Sequence, residues 1–378
     1  MRAIRTVGFE EEFLLVGPEG EVLASSGAVL SWLHANLDAS AAARFKPELQ
    51  LVQVEAVSEV HTDMSGLRDD VVFAREQLAA AGDACEVAVL PIGTAPLDWH
   101  PPTEAAIPGR YARIHDRFEA MMRGYTACGA HVHVGVESPD LAVAVVNHLR
   151  PWLPTLIALG ANSPFHGGRD TGFASWRVAE QSRFPGFGLP PFARSADDYD
   201  DRIAVLIDCG VLVDDHMSFW LARPSDAYPT VEIRAVDACA SVDDAILQAV
   251  LSRGLVQTAL GQLAAGIEGP RFDAQLGAAA VWSAARYGLD GPAVDPVQEI
   301  RVPAIHLLDR LLDWITPGLE ELGDMNMARG LLNRVRRMGT GADRQRVAAR
   351  SGLAGVVDLL RLEGSAVPEP LVAGGTLS

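Results

Sequence analysis

The stretch Thr6-Val7-Gly8-Phe9-Glu10-Glu11-Glu12-Phe13-Leu14-Leu15-Val16, residues 6–16, is an apolar β-strand pattern that carries three consecutive acids. Side chains alternate along a strand, so Glu10 and Glu12 share one face while Glu11 points to the other with the two phenylalanines. Adjacent carboxylates repel each other. Either a divalent cation binds to this face, or the face belongs to a solvated edge strand, and this segment alone leaves both readings open.

The composition describes a large acidic protein with enough apolar residues for a substantial core. The chain has 378 residues, 49% of them hydrophobic, and a net charge of −18. This excess of acid argues against nucleic acid or an anionic membrane surface as a partner. Small-molecule substrates remain, including anions held by metal ions or arginine.

The lysine and cysteine contents exclude several kinds of site. Lys46 is the only lysine and no G-x-x-x-x-G-K-[ST] motif occurs, so the chain has no P-loop. The four cysteines are widely spaced, which fits neither a zinc motif nor a compact disulfide framework. We interpret them as buried thiols in a reducing compartment, and with no signal peptide or membrane-spanning run we expect a cytoplasmic protein.

The order of the elements predicts an α+β fold. Strand patterns occur mainly in the first two-thirds of the chain, at 6–16, 49–60, 86–93, 128–136, 217–223 and 229–237. Helical patterns lie between them and fill the C-terminal third, including one helix over 139–160 and a helical region broken at Pro317–Gly318. We therefore expect a mostly antiparallel sheet covered by helices, in one domain over 1–363 with a flexible tail over 364–378.

Two histidines lie on one face of the strand pattern at 128–136. His131 and His133 share that face with Gly129 and Gly135, which leave room for a ligand. This pattern indicates a metal or phosphate site, although single histidines in strands are usually satisfied core residues.

Further acids occur in two other strand patterns. Glu55 lies on a polar face of the strand pattern at 49–60, and Glu48 joins that face only if the strand begins after it or contains a bulge. Taken alone, the segment favours an ordinary amphipathic strand. Glu232 and Arg234 also share a strand face. They form either a cross-strand salt bridge or a metal ligand beside a phosphate-binding arginine.

The Gly- and Pro-rich segment 163–192 is too long for an idle connection, and we expect a lid or binding loop there. The polar residues around its start suit a small polar substrate, and Arg177 suits bidentate binding of a carboxylate. The residues in question are Asn162, Ser163, Asp170, Thr171 and Arg177. A plain connecting loop has a similar composition.

The acids and histidines of these strand patterns supply mainly hard oxygen ligands, and such ligands favour Mg²⁺ or Mn²⁺. Such ions together with arginine are what phosphoryl transfer requires.

At this point the chain resembles the carboxylate–amine ligases, the type-2 glutamate–cysteine ligase group. The matching stretches are TVGFEEEFLLV, CGAHVHVGV, ANSPFHGGRDTGFASWR, TVEIRAVDA and AARYGLDG. The resemblance implies a curved, mostly antiparallel sheet that forms a funnel related to glutamine synthetase. It also implies an enzyme that uses ATP and Mg²⁺ to activate a carboxylate, the γ-carboxyl of glutamate, as an acyl phosphate, and couples it to an amine such as cysteine.

The resemblance also implies roles for individual residues. The metal ligands would be Glu10, Glu12, Glu55, His131 and Glu232. Arg234 would contact the transferring phosphate, His133 and, more loosely, Glu48 would line the nucleotide site, and Arg177 would hold an amino-acid carboxylate, with Asn162, Ser163, Asp170 and Thr171 beside the substrate.

One departure puts the substrate in question. Ala280 stands before Trp282 where this family usually has Asn. Two rival functions are a metal-dependent amidase and a non-catalytic descendant that only binds an amino acid or nucleotide. The sequence does not identify the amine, and it leaves a homodimer open.

Overall fold

A computed structural model gives the fold of the chain and describes residues 5–17, 20–97 and 109–362. The predicted tail over 364–378 lies outside the described residues. The strands in chain order are β1 Val7–Val16, β2 Phe45–Pro47, β3 Gln53–Val57, β4 Ala88–Leu90, β5 Gly129–Gly135, β6 Phe165–His166, β7 Arg169–Asp170, β8 Phe187–Gly188, β9 Phe219–Trp220, β10 Ala222–Pro224, β11 Thr230–Asp237, β12 Pro292–Asp295 and β13 Ile300–Pro303.

Helices occupy most of the remaining described chain. They are α1 Ser26–Asn36, α2 Ala39–Ala42, α3 Met64–Ala84, α4 Arg110–Phe118, α5 Pro139–Leu149, α6 Leu153–Leu159, α7 Trp176–Gln181, α8 Ala196–Asp208, α9 Val242–Ala264, α10 Ala274–Tyr287, α11 Ala304–Leu322, α12 Met325–Met338, α13 Gly341–Ala348 and α14 Ala354–Leu360. The predicted α+β class is confirmed.

The main sheet is antiparallel throughout, in the order β10-β11-β5-β1-β3-β2, with β4 also paired to β1. The strand with the three acids, β1, therefore lies in the middle of the sheet. This excludes the solvated edge strand that the sequence left open. The strongest acidic pattern in the chain is placed where its neighbours on both sides can contribute side chains.

The largest hydrophobic cluster lies on one face of this sheet, and a smaller one that includes Leu14 and Val16 of β1 lies on the other. Ala130, Val132 and Val134 of β5 and Val231 and Ile233 of β11 are buried in the largest cluster. The largest helix of that layer, α9, is buried along most of its length against the same core. The opposite parity of β5 leaves His131 and His133 on the other face of the sheet, as the alternation predicted.

Two helix predictions were wrong. The helix expected over 139–160 is two helices, α5 and α6, bent by 63° where Pro151 and Pro154 interrupt the backbone bonding. The helix α11 continues through Pro317, because Gly318 packs closely against the backbone of α9 and a Cβ there would lie 2.7 Å from the Gly254 carbonyl oxygen.

Two other segments contain more structure than expected. The segment 163–192 includes β6, β7, α7 and β8, and a β12–β13 hairpin interrupts the helical C-terminal third. Of the cysteines, Cys128 and Cys239 are buried thiols, but Cys209 is exposed and Cys85 half-buried.

Across the described ranges, no single helix has the length and apolar character needed to cross a membrane. Only α5 and α6 together reach that composition, and they are bent relative to each other.

Candidate metal site

Strand register brings the predicted acids and histidines together on the face of the sheet opposite the largest hydrophobic cluster. The directly opposed pairs are Glu10 with His131, Glu12 with Glu55, and Glu232 with His133. These pairs come from four adjacent strands, β11, β5, β1 and β3. The side chains that the period-2 pattern placed on one face of each strand therefore converge.

Two groups of three side chains have donor atoms within 4.8 Å of one another, the separation expected for ligands of one metal ion. One group is Glu10, His131 and Glu232, and the other is Glu12, Glu55 and His131. The imidazole of His131 stands between the two groups. Its Nδ1 lies 3.5 Å from a Glu10 oxygen and its Nε2 lies 3.8 Å from a Glu12 oxygen.

Each of the two histidines has one buried ring nitrogen, Nε2, without a hydrogen-bond partner, which is costly unless something else binds there. Neither His131 Nε2 nor His133 Nε2 has a hydrogen-bond partner in the described part of the chain. His133 Nε2 lies 3.5 Å from Glu10, while its Nδ1 lies 2.9 Å from the Thr230 hydroxyl. Burial, assisted by the charge of Arg234, lowers the pKa of His131 and favours the neutral ring that ligates metals.

The carboxylates repel one another. Burial raises the pKa of Glu55 well above its usual range, and the charges of Glu10, Glu48 and Glu12 raise it further. Burial and the charge of Glu12 raise the pKa of Glu48 to about 8. Since β3 begins only at Gln53, Glu48 is free of strand parity and joins the cluster.

Glu10 behaves differently from these two acids. Burial alone would raise its pKa, but the nearby His131 and His133 rings outweigh burial and bring the pKa below its usual value. The cluster therefore combines one carboxylate held ionised by its neighbours with two whose nearby cations do not outweigh burial and repulsion. A divalent cation would stabilise the ionised form of all three.

Two arginines hold Glu232. Arg234 forms an ion pair with one carboxylate oxygen, and Arg223 donates from Nε to the other over 2.7 Å. Burial opposes ionisation, but these two guanidinium groups keep the pKa of Glu232 well below its usual range. A β-bulge between Ile233 and Val236 adjusts the strand beside this pair.

Arg223 is a site residue that the sequence analysis did not select. It lies directly opposite Glu232 because β10 pairs with β11 in that register. Its only sequence signal was a single cation within the apolar strand pattern at 217–223.

Glu11, the third acid, has a separate role. It points to the opposite face and is 2% exposed. Arg75 of α3 binds both of its oxygens, at 2.8 and 2.9 Å from Nη2, and the Cys239 amide donates to it over 2.9 Å. The alternation along β1 predicted that Glu11 would face away from Glu10 and Glu12. Its ion pair with Arg75 is part of the protein's buried structure.

Arg177 lies at the edge of the cluster. It is 2% exposed, and Gly129 leaves no room for a Cβ because the guanidinium packs on its backbone. The amide of Gly129 donates to Glu12 over 2.6 Å. Arg177 Nε and Nη1 have no hydrogen-bond partner in the described residues, so this buried cation has unused donors beside the acids.

The neighbouring loop residues make bonds within the protein. Asn162 donates to the carbonyls of Pro91 and Ala238, both over 2.8 Å, and the Ser163 hydroxyl donates to Asp237 over 2.7 Å. Asp237 in turn lies 4.0 Å from Arg177. Asn162 and Ser163 thus fix the surroundings of Arg177, and their direct contact with a substrate stays a prediction.

The other two loop residues lie further along the hairpin of β6 and β7. Asp170 is exposed and pairs with Arg346 over 2.9 Å, and the Thr171 hydroxyl donates to the Pro164 carbonyl over 2.9 Å. The structure does not join either side chain to the acid cluster. Their predicted role also stays a prediction.

Ala280 lies away from this cluster. It is 1% exposed and lines a small gap between α6 and α10 that it shares with Thr155 and Ala293. The neighbouring Trp282 is 54% exposed.

Lys46 stands at the outer side of the acid cluster. It lies on β2, directly opposite Glu55 of β3. Its positive charge partly offsets the shift of the Glu55 pKa.

The same fold occurs in solved structures of low sequence identity. A glutamate–cysteine ligase from Francisella tularensis, solved in complex with AMP, superposes with a TM-score of 0.67 at 12% identity over 95% of this chain and 88% of that one. A bifunctional glutathione synthetase from Pasteurella multocida gives 0.68 at 14% identity over 94% of this chain, which spans 52% of that longer protein. The fold is thus that of the glutamate–cysteine ligases.

The sequence shows the family. The model of glutamate–cysteine ligase family 2 matches residues 6–357. A protein of Saccharopolyspora erythraea, provisionally named glutamate–cysteine ligase 2-2, is 48% identical over 92% of this chain and 89% of its own length. The chain belongs to glutamate–cysteine ligase family 2, and the predicted resemblance is confirmed.

Proposed function

We propose that this protein is an ATP- and Mg²⁺-dependent carboxylate–amine ligase that activates the γ-carboxyl of glutamate as an acyl phosphate and couples it to an amine. The observation that carries this proposal is the pair of buried ligand groups that meet at His131. Membership of the ligase family and the AMP complex of a structural neighbour support the choice of an adenine nucleotide.

The residues fit a site for divalent cations. The two groups offer four carboxylates and one neutral imidazole, a donor set that suits Mg²⁺ and also Mn²⁺. Glu10, His131 and Glu232 would hold one ion, or Glu12, Glu55 and His131 would hold it. Because a neutral imidazole has a single ligating nitrogen, His131 would serve one ion at a time, and a second ion would rely on the carboxylates of the other group. When bound, such ions neutralise charge on phosphate oxygens.

The protein's own residues supply the rest of the chemistry. Arg234, which pairs with Glu232, would stabilise charge on the transferring phosphate. The unused donors of Arg177 suit the α-carboxylate of an amino acid in a bidentate contact. His133 and Glu48 border the same acids and would line the nucleotide site.

The reaction forms two bonds in sequence. The glutamate carboxylate attacks the terminal phosphorus of ATP and ADP leaves, and then the neutral amine attacks the acyl carbon and phosphate leaves. The mixed anhydride must be shielded from water. We propose the segment 163–192, which carries Arg177, for that shielding, and residues 1–363 as the single catalytic domain.

The decisive experiment measures ADP release across a panel of amines, with and without glutamate, followed by mass spectrometry of the product. The proposal expects ADP release that needs glutamate, Mg²⁺ and an amine together, with an amide as product. An amidase would hydrolyse an amide without ATP, and a binding descendant would release no ADP with any amine.

A variant pair tests the site itself. Glu12→Gln removes one carboxylate charge from the cluster, so ADP release should fall to background while the circular dichroism spectrum stays unchanged. Glu59→Gln, an exposed acid just beyond β3, is the matched control and should keep full activity. Full activity of Glu12→Gln would overturn the assignment of this residue.

A further inference from the structure

A second concave site lies outside the acid cluster. It is a groove of about 1170 Å³ bordered by α7, α8 and α10. Aromatic side chains form much of its wall, among them Phe173, Trp176, Trp220, Phe272 and Trp282. None of the candidate metal ligands lines it, so it does not belong to the site described above.

A buried arginine without a counterion lines this groove. Arg150 is 6% exposed, and its guanidinium stacks on the Phe272 ring with 4.4 Å between the guanidinium carbon and the ring centroid. Its Nε donates to the Pro190 carbonyl over 2.9 Å, but its Nη1 has no acceptor among the described residues. A buried guanidinium in this state is costly.

A second arginine stands next to it instead of an acid. The guanidinium carbon of Arg271 lies 3.8 Å from the centroid of the Phe192 ring, and that of Arg150 lies 5.9 Å from the same ring. Burial and the charge of Arg271 lower the pKa of Arg150 to about 10. Within the described ranges, neither guanidinium forms an ion pair with a carboxylate.

The acids of the groove do not balance this charge. Asp198 and Asp201 lie on α8, a different wall, and Asp198 already pairs with Arg194 and Arg202 over 3.5 and 3.4 Å. The groove therefore has one positively charged region without compensation, set in an aromatic wall.

We propose that this groove binds an organic anion, a carboxylate carried on an apolar body. The carboxylate would pair with Arg150, which lines the groove, and the exposed Arg271 beside it would add positive charge from just outside the lining. The apolar body would lie against the aromatic wall. A carboxylate matches the planar donors of arginine, whereas a neutral apolar ligand would leave Arg150 unpaired. The helix α7 borders the groove through Trp176 and Ala179 and presents Arg177 on another side, so the occupant would contact the helix that carries this candidate substrate residue.

Calorimetric titration of the full chain, without nucleotide or metal, tests the proposal with two pairs of probes. Phenylbutyrate and its neutral amide, phenylbutyramide, have the same apolar body and differ in charge; decanoate and decanol form the second pair. At least one acid should bind roughly tenfold or more tightly than its neutral partner, because pairing with a charged group adds to the burial they share.

Variants locate the effect. Arg150→Met keeps most of the side-chain length and should remove the preference for the acid. Arg271→Met, at an exposed position, should reduce the preference and keeps the test valid if Arg150→Met does not fold. Arg202→Met, on the α8 wall, is the matched control and should retain the preference.

Equal affinity for the acid and its neutral partner in both pairs would overturn the proposal. So would the absence of binding by both acids at millimolar concentrations, or a preference that survives in the Arg271→Met and Arg150→Met proteins. These results do not depend on ligase activity, so the proposed reaction stands or falls separately.

Discussion

Glu12 of β1 and Glu55 of β3 lie directly opposite each other on neighbouring antiparallel strands. Two carboxylates in this relationship destabilise a sheet, and Lys46, directly opposite Glu55, offsets part of that repulsion. A protein that retains this arrangement in the middle of its sheet gains from a cation that binds there. The first prediction follows from this pair.

Replacing Glu55 by Gln should relieve the repulsion in the metal-free protein. We expect a gain in the free energy of unfolding of up to about 1 kcal/mol, together with loss of ADP release. Mg²⁺ should raise the melting temperature of the unmodified protein and raise that of the variant much less. Thermal unfolding with and without Mg²⁺ measures both; an equal Mg²⁺ shift in the two proteins would remove Glu55 from the ligand set.

Substituting the adjacent acids Glu11 and Glu12 should affect different properties, the stability of the protein for Glu11 and turnover for Glu12. Glu11→Gln breaks the buried pair with Arg75 and leaves that cation uncompensated, so we expect a loss of about 3 kcal/mol or more in unfolding free energy. Glu12→Gln should cost far less stability, although it abolishes turnover. Urea unfolding of both variants decides the matter, with Glu59→Gln as a control expected within about 0.5 kcal/mol of the parent. Similar losses for Glu11 and Glu12 would contradict the separation of roles.

Arg223 is predicted to act as a positioning residue for Glu232. Arg223→Met removes the Nε bond and leaves Arg234 as the remaining partner of Glu232. The Mg²⁺ concentration for half-maximal ADP release should rise about tenfold or more, as for other residues that orient a metal ligand. At saturating Mg²⁺ the rate should largely recover.

Arg223→Lys is the conservative comparison and should recover part of the Mg²⁺ affinity. A rate defect that is the same at every Mg²⁺ concentration would show that Arg223 does not act through Glu232.

Ala280 should influence packing and leave substrate choice unchanged. Installing the family's Asn by Ala280→Asn overfills a nearly closed gap, with an expected loss of about 1–3 kcal/mol in stability. A bond to the unpartnered Thr155 hydroxyl would reduce that loss. The order of preference among amines in the ADP-release panel should not change; a changed order would place position 280 in the substrate site.

The sequence predicted which face each candidate ligand occupies, because a strand alternates with a period of two whatever its neighbours are. This rule was sufficient for Glu10, Glu12, His131 and His133. Glu48 followed only once the start of β3 was known, because strand parity does not extend into a loop.

Register across strands could not be predicted in the same way. Arg223 meets Glu232 only because β10 pairs with β11 at that position, and no local pattern encodes this pairing. Loop composition was similarly insufficient for Asn162, since an amide that binds a ligand and an amide that binds backbone carbonyls have the same sequence signal. Pro317 shows the same limit for helices, because close packing between α9 and α11 overrides a local breaker.

The lone lysine has a practical consequence. Because Lys46 is the only side-chain amine in the chain and is exposed opposite Glu55, an acylating dye or crosslinker that reaches a lysine attaches at the border of the acid cluster, and the α-amino group is the one other amine to account for. A reporter placed there without mutagenesis would sense ion binding through its local field.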